Sequence, residues 1–301
     1  MKRRQSGVAL VLVLWVITLL SVIAGNFAFS MRGEAKIARN LLSTAQALAL
    51  ADAGVQKAWF ELSKPPTDLQ RWQANGVAHP FALGGAVLTV TIQDEAGKID
   101  LNTAPDALLQ GLFKSVGLSE EASIALVDAV VDWRDADKLK RLHGAEEDDY
   151  RAAGKSYGPT NSPFETVDEL QRVLGMSPDL YRKLAPALTV YSKQPGVNTA
   201  VAPREVLMAI PGVNPAMVEQ YLVQRQSLLT ADQKALPFAG VGSFGIGSTG
   251  LSAYTARCEV KMSDGTVFVR QAVARLAQDP RRPVTVLGWG DGDSEQLTEN
   301  R

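Results

Sequence analysis

The most chemically loaded stretch of this 301-residue chain is DAVVDWRDADKLKRLHGAEEDDYRAAGKSYGPTNSPFETVDEL, residues 128–170. Within it Asp132, Asp135, Asp137, Glu146, Glu147, Asp148 and Asp149 crowd carboxylates into a segment of helix end and loop. Such crowding is costly unless water or a cation screens the charges. A hard cation such as Ca2+ takes about six to eight oxygens from carboxylates and carbonyls and needs no thiol or imidazole. Asp135, Asp137 and Glu146 fall at the first, third and twelfth places of an EF-hand-like frame, but Leu139 and Lys140 stand where a ligand and the turn glycine belong. The segment is therefore no EF-hand, and from the residues alone a solvated acidic loop and a cation-binding loop both fit.

Other reactive groups are few. The chain has two histidines and one cysteine, so it cannot form an internal disulfide, and no Cys/His cluster has the spacing of a zinc site, which argues against thiol chemistry and structural zinc. His79 follows a loop-like QANGVA and precedes Pro80, His143 lies in the acidic stretch, and neither has a serine or cysteine partner in a catalytic motif. GVGSFG at 240–245 matches the dinucleotide-binding spacing, yet no strand precedes it and no helix comes after, so it reads as a glycine-rich loop. No catalytic constellation emerges, and the expectation is a non-enzymatic protein.

The acidic stretch lies between two similar segments. LNTAPDALLQGLFKSVGLSEEASIALVDAVVDWR from Leu101 and VNTAVAPREVLMAIPGVNPAMVEQYLVQR from Val197 share an Asn-Thr-Ala start, a helix, a turn with glycine and a second helix. LQRVLGMSPDLYRKLAPALTVY, from Leu170, is a shorter variation. These resemble helix-hairpin-helix units, whose hairpin amides commonly hold nucleic-acid phosphates. Here Ser119, Glu120 and Glu121 come after Gly117, and Asn214, Pro215 and Glu219 after Gly212, where a phosphate binder needs cations. Proline also has no N–H to donate. The formal charge of −1 points the same way. A structural or protein-contact role is favoured; a membrane-anchored DNA-binding protein of a competence system stays as the alternative, and a calcium-dependent adhesin or minor type IV pilin as a third reading.

The elements that position these segments begin with an apolar run from Val8 to about Met31, long enough as a helix to cross a ~30 Å hydrocarbon core. Lys2, Arg3 and Arg4 precede it, which predicts a cytoplasmic N-terminus with everything after Met31 translocated. The run is too long for a cleaved secretory signal and lacks its small-x-small ending. Ile37, Leu41, Leu48, Val55, Trp59 and Leu62 continue near helical spacing until Pro65-Pro66, predicting one helix of ~80 Å with a small-residue face for close packing. FALGGAVLTVTIQDEAGKID, residues 81–100, alternates as strands do, with a turn near Gly97. AYTARCEVKM and TVFVRQAVARL flank Ser263-Asp264-Gly265, a hairpin signal within a strand-rich block over 251–287.

The basic leader ending in Gly7, the apolar run starting at Val8 and the long helix behind it resemble a type IV prepilin-like N-terminus. DWRDAD, GAEEDDY and NSPFETVDEL after an LNTA helix start, together with that leader and Leu12 at the fifth mature position, resemble the K-class minor pseudopilins of type II secretion (general secretion pathway protein K). The likeness covers nearly the whole chain. It implies an α/β (α+β) fold, with a pilin-like long helix on a small antiparallel sheet and a large all-α insertion. The expected organisation is a leader over 1–7, a helix over 8–64 with its membrane segment at 8–31, a β domain from 65–100 and 231–290, an insertion over 101–230 and a disordered acidic tail over 291–301.

The resemblance further implies cleavage between Gly7 and Val8 by a prepilin peptidase, N-methylation of Val8, and structural Ca2+ on Asp135, Asp137, Glu146 and Glu147. Asp132, Asp149 and Asn161 are second choices, and Glu147 stands where the family often has aspartate. It implies other minor pseudopilins of the I and J classes, the major pseudopilin and the inner-membrane assembly platform as partners, and no nucleic acid. The expected location is the bacterial inner membrane, single-pass, with a periplasmic head. Most family members carry glutamate at the fifth position, which neutralises a neighbour's new amine; leucine there marks a subunit at the fibre tip.

Overall fold

The computed structural model describes residues 6–65, 67–230, 238, 240–247, 253–277, 281 and 283–292. The expected tail falls outside the described residues from 293 onward, and so does most of the leader. Helix α1 (Ser6–Ser63) runs 58 residues unbroken, about 87 Å at 1.5 Å per residue. It is long and apolar enough to cross a membrane. From Ala9 to Leu42 every residue is exposed. The buried face begins at Ser43 and passes through Ala47, Ala51, Val55, Ala58, Trp59 and Leu62. Of the residues at helical spacing, Ile37 and Leu41 stay exposed because the sheet covers only the last third of the helix, and Leu48, inside that third, lies off the covered face.

That sheet has five antiparallel strands in the order β1-β2-β5-β6-β7. Strands β1 (Asn75–Leu83) and β2 (Ala86–Asp94) meet at Gly84-Gly85, both at positive φ, as a two-residue hairpin of the primed type requires. The expected strand block opened at Phe81 and left His79 and Pro80 in a loop. The structure instead places both in β1, which tolerates proline because it is an edge strand with a bulge between Asn75 and Ala78. His79 stacks on Trp72, ring centroids 4.2 Å apart. On the inner face Leu88, Val90, Ile92, Ala256, Cys258, Val260, Ala272 and Ala274 pack on α1. A Cβ at Gly54 would lie 2.2 Å from Cys258 Sγ, so glycine sets how closely helix and sheet approach. Arg270 ties the layers together, donating to Asp52 of α1 at 2.7 Å and to Asp291.

Chain excursion between two neighbouring strands builds a second body. Asp94 at the end of β2 lies opposite Tyr254 of β5 (Ala253–Lys261), so the chain leaves the sheet and re-enters it at one point. Between them come β3 (Ile99–Asp100), α2 (Asp106–Ser115), α3 (Glu120–Arg134), α4 (Glu147–Ala152), α5 (Pro178–Leu184), β4 (Leu188–Thr189), α6 (Arg204–Ala209) and α7 (Pro215–Thr230). Strands β3 and β4 form a short parallel pair that closes the excursion on itself. The Ser263-Asp264-Gly265 turn then joins β5 to β6 (Val267–Leu276), and β7 (Val284–Asp291) finishes the sheet. Asp291, expected in the tail, belongs to that last strand.

The repeated units explain the helical body. Gly117, Gly175 and Gly212 occupy the same place in the three turns, all at positive φ. Two residues after each glycine a polar side chain caps the second helix of the unit: Ser119 accepts from Ala122 N, Ser177 from Leu180 N and Asn214 from Ala216 N. In the unit that contains Gly175 the first helix is only a 3-10 stretch, Val167–Arg172. The units of Gly117 and Gly212 cross at Gly111, where a Cβ would lie 1.9 Å from the Ala209 carbonyl oxygen. The resulting core runs from Ile99 to Phe238 and is distinct from the core under the sheet. It extends beyond the expected limits of 101 and 230, because Phe238 packs on Tyr221 and Gly245 bridges to Val197.

Candidate metal centre

The acidic stretch forms the end of α3, a loop and the start of α4. Two carboxylates one turn apart on α3 brace that loop. Asp132 is fully buried and accepts from Arg141 N at 3.2 Å, while Asp128 accepts from His143 N and the Arg141 guanidinium, both at 3.1 Å. Gly144 is required here, since a Cβ would sit 1.9 Å from Asp132 Oδ2. Beneath the loop Trp133 meets Tyr150, Tyr157 and Phe164 at ring-centroid distances of 5.9, 6.5 and 6.2 Å, and Arg172 covers Trp133 and Tyr157. The loop is thereby fixed to the helical core.

Above that base three side-chain oxygens are buried without a hydrogen-bond partner: Asp135 Oδ1, Glu146 Oε1 and Asn161 Oδ1. Asp135 caps the C-terminus of α3 and Glu146 the N-terminus of α4. Asn161 has φ +48°, a conformation asparagine tolerates better than most residues, and donates Nδ2 to the Asp137 carbonyl at 3.0 Å. An orphaned buried acceptor costs about 1–3 kcal/mol. These three, between residues 135 and 161, are oxygens of the type that a hard cation can satisfy. Among the described residues no group of three His, Cys, Asp or Glu side chains closes a cage; the inward set is two carboxylates and an amide.

The electrostatics agree with that geometry. Burial pushes the carboxyls of Asp132, Asp135 and Glu146 above their ordinary values, and neighbouring carboxylates push them further: Asp137 acts on Asp135, while Asp132, Asp135 and Asp137 act on Glu146. Asp149 goes the other way, held down first by its hydrogen bond to Lys140, 2.5 Å away, and then by the Glu146 amide.

The structure places the expected residues differently from one another. Asp135 and Glu146 turn inward together with Asn161, a second choice. Asp137 is exposed, accepting from Leu139 N at 2.8 Å, with its carbonyl held by Asn161. Glu147 points to solvent and pairs with Arg151 at 2.9 Å, one turn along α4. Asp132 and Asp149 are committed to loop amides and Lys140. Asp128 was missed, although its i, i+4 spacing to Asp132 on a helix is readable in the sequence.

The remaining candidates are placed without chemistry to do. Cys258 is buried under α1, and burial pushes its thiol up to about 12. GVGSFG contains a 3-10 turn, Gly242–Phe244, and no strand-to-helix transition. At the hairpins Lys114 is paired with Glu120 at 2.5 Å and Arg204 with Glu219 at 2.6 Å, so these cations are not offered to phosphates.

Likeness to known proteins falls on the same residues. Positions 91–195, which include the whole acidic stretch, match the family model "Type II secretion system (T2SS), protein K". Type II secretion system protein K of Pseudomonas aeruginosa is 29% identical over 249 residues, 75% of this chain and 74% of that protein. Its counterpart in Klebsiella pneumoniae is 29% identical over 267 residues, 81% and 80% of the two chains. The fold matches a chain in the crystal structure of the GspK-GspI-GspJ complex from enterotoxigenic Escherichia coli with a TM-score of 0.56 at 17% identity, over 88% of this chain and 99% of that one. A pilin-like helix and sheet, a helical body inserted between β2 and β5, and the matching acidic segment together make this chain similar to protein K of the type II secretion system.

Proposed function

We propose that this chain is a non-enzymatic tip subunit of the pseudopilus that exports folded proteins across the outer membrane. The observation that carries this reading is the second core. A helical body larger than the pilin-like sheet is attached beside one exposed helix, and such bulk obstructs a subunit repeated along a shaft but not one at its end. Leu12 supports it, because a subunit with no acid at that position cannot neutralise the amine of a subunit beyond it.

In this reading a prepilin peptidase cuts between Gly7 and Val8, and Val8 is then methylated. The exposed part of α1 holds the chain in the inner membrane with its N-terminus cytoplasmic and its head periplasmic. It then packs on minor pseudopilins of the I and J classes, and on the major pseudopilin, as the assembly platform extracts it. The GspK-GspI-GspJ complex from Escherichia coli provides the precedent for the first two partners. Calcium fits the inward oxygens of Asp135, Glu146 and Asn161, with Asp137 beside them. Bound there it would supply the positive charge that these oxygens lack and pin the α3–α4 loop. Labelled antibody against the helical body, applied to assembled pseudopili, should mark one end of each fibre. Label spread along the shaft would refute the tip assignment.

A further inference from the structure

Between the apolar span, which ends at Met31, and Ser43, the first buried residue, α1 is bare for eleven residues, 32–42. That is about 17 Å of helix. Arg32, Lys36 and Arg39 occur in this gap at steps of four and three, so they form one row on the helix surface. The same row continues through Ser43 and Ala47, both buried beneath the sheet. Glu34 is the sole acid in the gap, and at 100° per residue it falls about 200° from Arg32, on the opposite face. All three cations are exposed, and none forms a side-chain ion pair among the described residues.

We propose that Arg32, Lys36 and Arg39 form a binding stripe for the anionic phospholipid headgroups of the bilayer from which α1 emerges. The proposal rests on the reading of α1 as a membrane anchor. Arg32 comes directly after the span and so stands at the headgroup level. Lys36 and Arg39 stand about 6 and 10 Å higher along the axis, within reach because long cationic side chains bend toward an interface. The field of an anionic surface acts over a Debye length of about 8 Å. Guanidinium groups suit phosphate oxygens, which they hold through paired hydrogen bonds.

Position favours lipid over a protein partner. The row is bare up to Arg39, and its continuation through Ser43 and Ala47 is where the sheet first covers α1, so the three cations lie between the span and the head. Cations after the span also oppose the orientation set by Lys2, Arg3 and Arg4, a cost that contact with anionic headgroups offsets. The stripe holds the head at a fixed height and rotation until the subunit is extracted into the fibre.

The test uses the full chain in neutral-detergent micelles, analysed by native mass spectrometry with phosphatidylglycerol or phosphatidylcholine added. Wild type should retain phosphatidylglycerol preferentially, by about fivefold for each engaged cation, and high salt should erase the preference. The triple variant Arg32→Gln, Lys36→Gln, Arg39→Gln, which keeps good helix formers at exposed sites, should bind both lipids equally. Equal phosphatidylglycerol retention by the two proteins would overturn the proposal. So would displacement by millimolar inorganic phosphate, which would make the stripe a phosphate site. Unchanged lipid preference with loss of co-purifying pseudopilins would overturn it in favour of a protein contact. Alkaline carbonate separates the two readings. Wild type stripped from membranes would sink the anchor and the stripe together, whereas a resistant wild type without lipid preference would sink the stripe alone.

Discussion

Glu146 and Glu147 are adjacent in sequence and opposite in fate. Glu146 caps α4 with one oxygen buried and unpaired, while Glu147 begins the helix and is drawn outward by Arg151. Composition locates the acidic cluster but is blind to this one-residue rotation, so the sequence ranks Glu147 above Asn161. The geometry buries the Asn161 oxygen and leaves Glu147 at the surface. Asn161→Ala should weaken calcium binding about tenfold, the equivalent of one lost buried oxygen contact, while Glu147→Ala should leave the affinity within about twofold of wild type, roughly the scatter expected at an exposed pair. Titration calorimetry on the two variants checks both.

The same residues set a pH dependence. Asp132, Asp135 and Glu146 have their carboxyls raised in the fold by burial and by one another. The metal-free fold therefore holds protons that the unfolded chain releases. The stability these groups contribute is fully present below their ordinary values of 3.8 and 4.5 and is lost as pH rises through the raised ones. Calcium favours the ionised form and should offset that loss. The rise in Tm on replacing chelator with calcium should be small near pH 4 and grow toward pH 7. Distant carboxyls that shift down, such as Asp264 held by Ser43, lose their contribution as pH falls, but equally in both conditions. A calcium increment that shrinks with rising pH would contradict the assignment.

At the scale of elements, the hairpin glycines were the most legible feature. Gly117, Gly175 and Gly212 mark three turns that all need positive φ, and the caps behind them are readable as Ser or Asn. Less legible was the contact those units make. Gly111 lies inside α2, where glycine normally costs helix stability, and only the crossing with α6 explains it. Gly111→Ala should destabilise the protein by about 1–3 kcal/mol through forced separation of the two helices, read as a lowered Tm with unchanged helical content below the transition. A stabilised variant, as helix propensity alone would give, would show that the helices can part freely. Strand β1 was missed before Phe81 for a related reason: a proline at 80 argues against a strand until the sheet order shows that β1 is an edge.

At the scale of the molecule, two cores share one seam, and neither the point of departure nor the point of return is marked in the sequence. Asp94 and Tyr254 stand opposite each other although 160 residues separate them, because β2 and β5 pair as neighbours. The seam is polar: Gln93 donates to the Val201 carbonyl at 2.9 Å, Thr255 to Glu95 at 2.6 Å, and the Asn198 amide to the Ala96 carbonyl at 2.7 Å. Hydrogen bonds of this kind contribute about 1 kcal/mol each, too little to bind two large apolar cores into a single cooperative unit, so each core should open on its own. Calcium at the site proposed for the α3–α4 loop would contact one of them. In hydrogen-exchange measurements on the full chain in micelles, calcium should slow exchange in α2, α3, α4 and α6 and leave β2, β5 and β6 unchanged. Equal protection of both sets would mean that the seam transmits the full stabilisation. The head would then respond to calcium as one body, and the loop could reset the sheet that packs on α1.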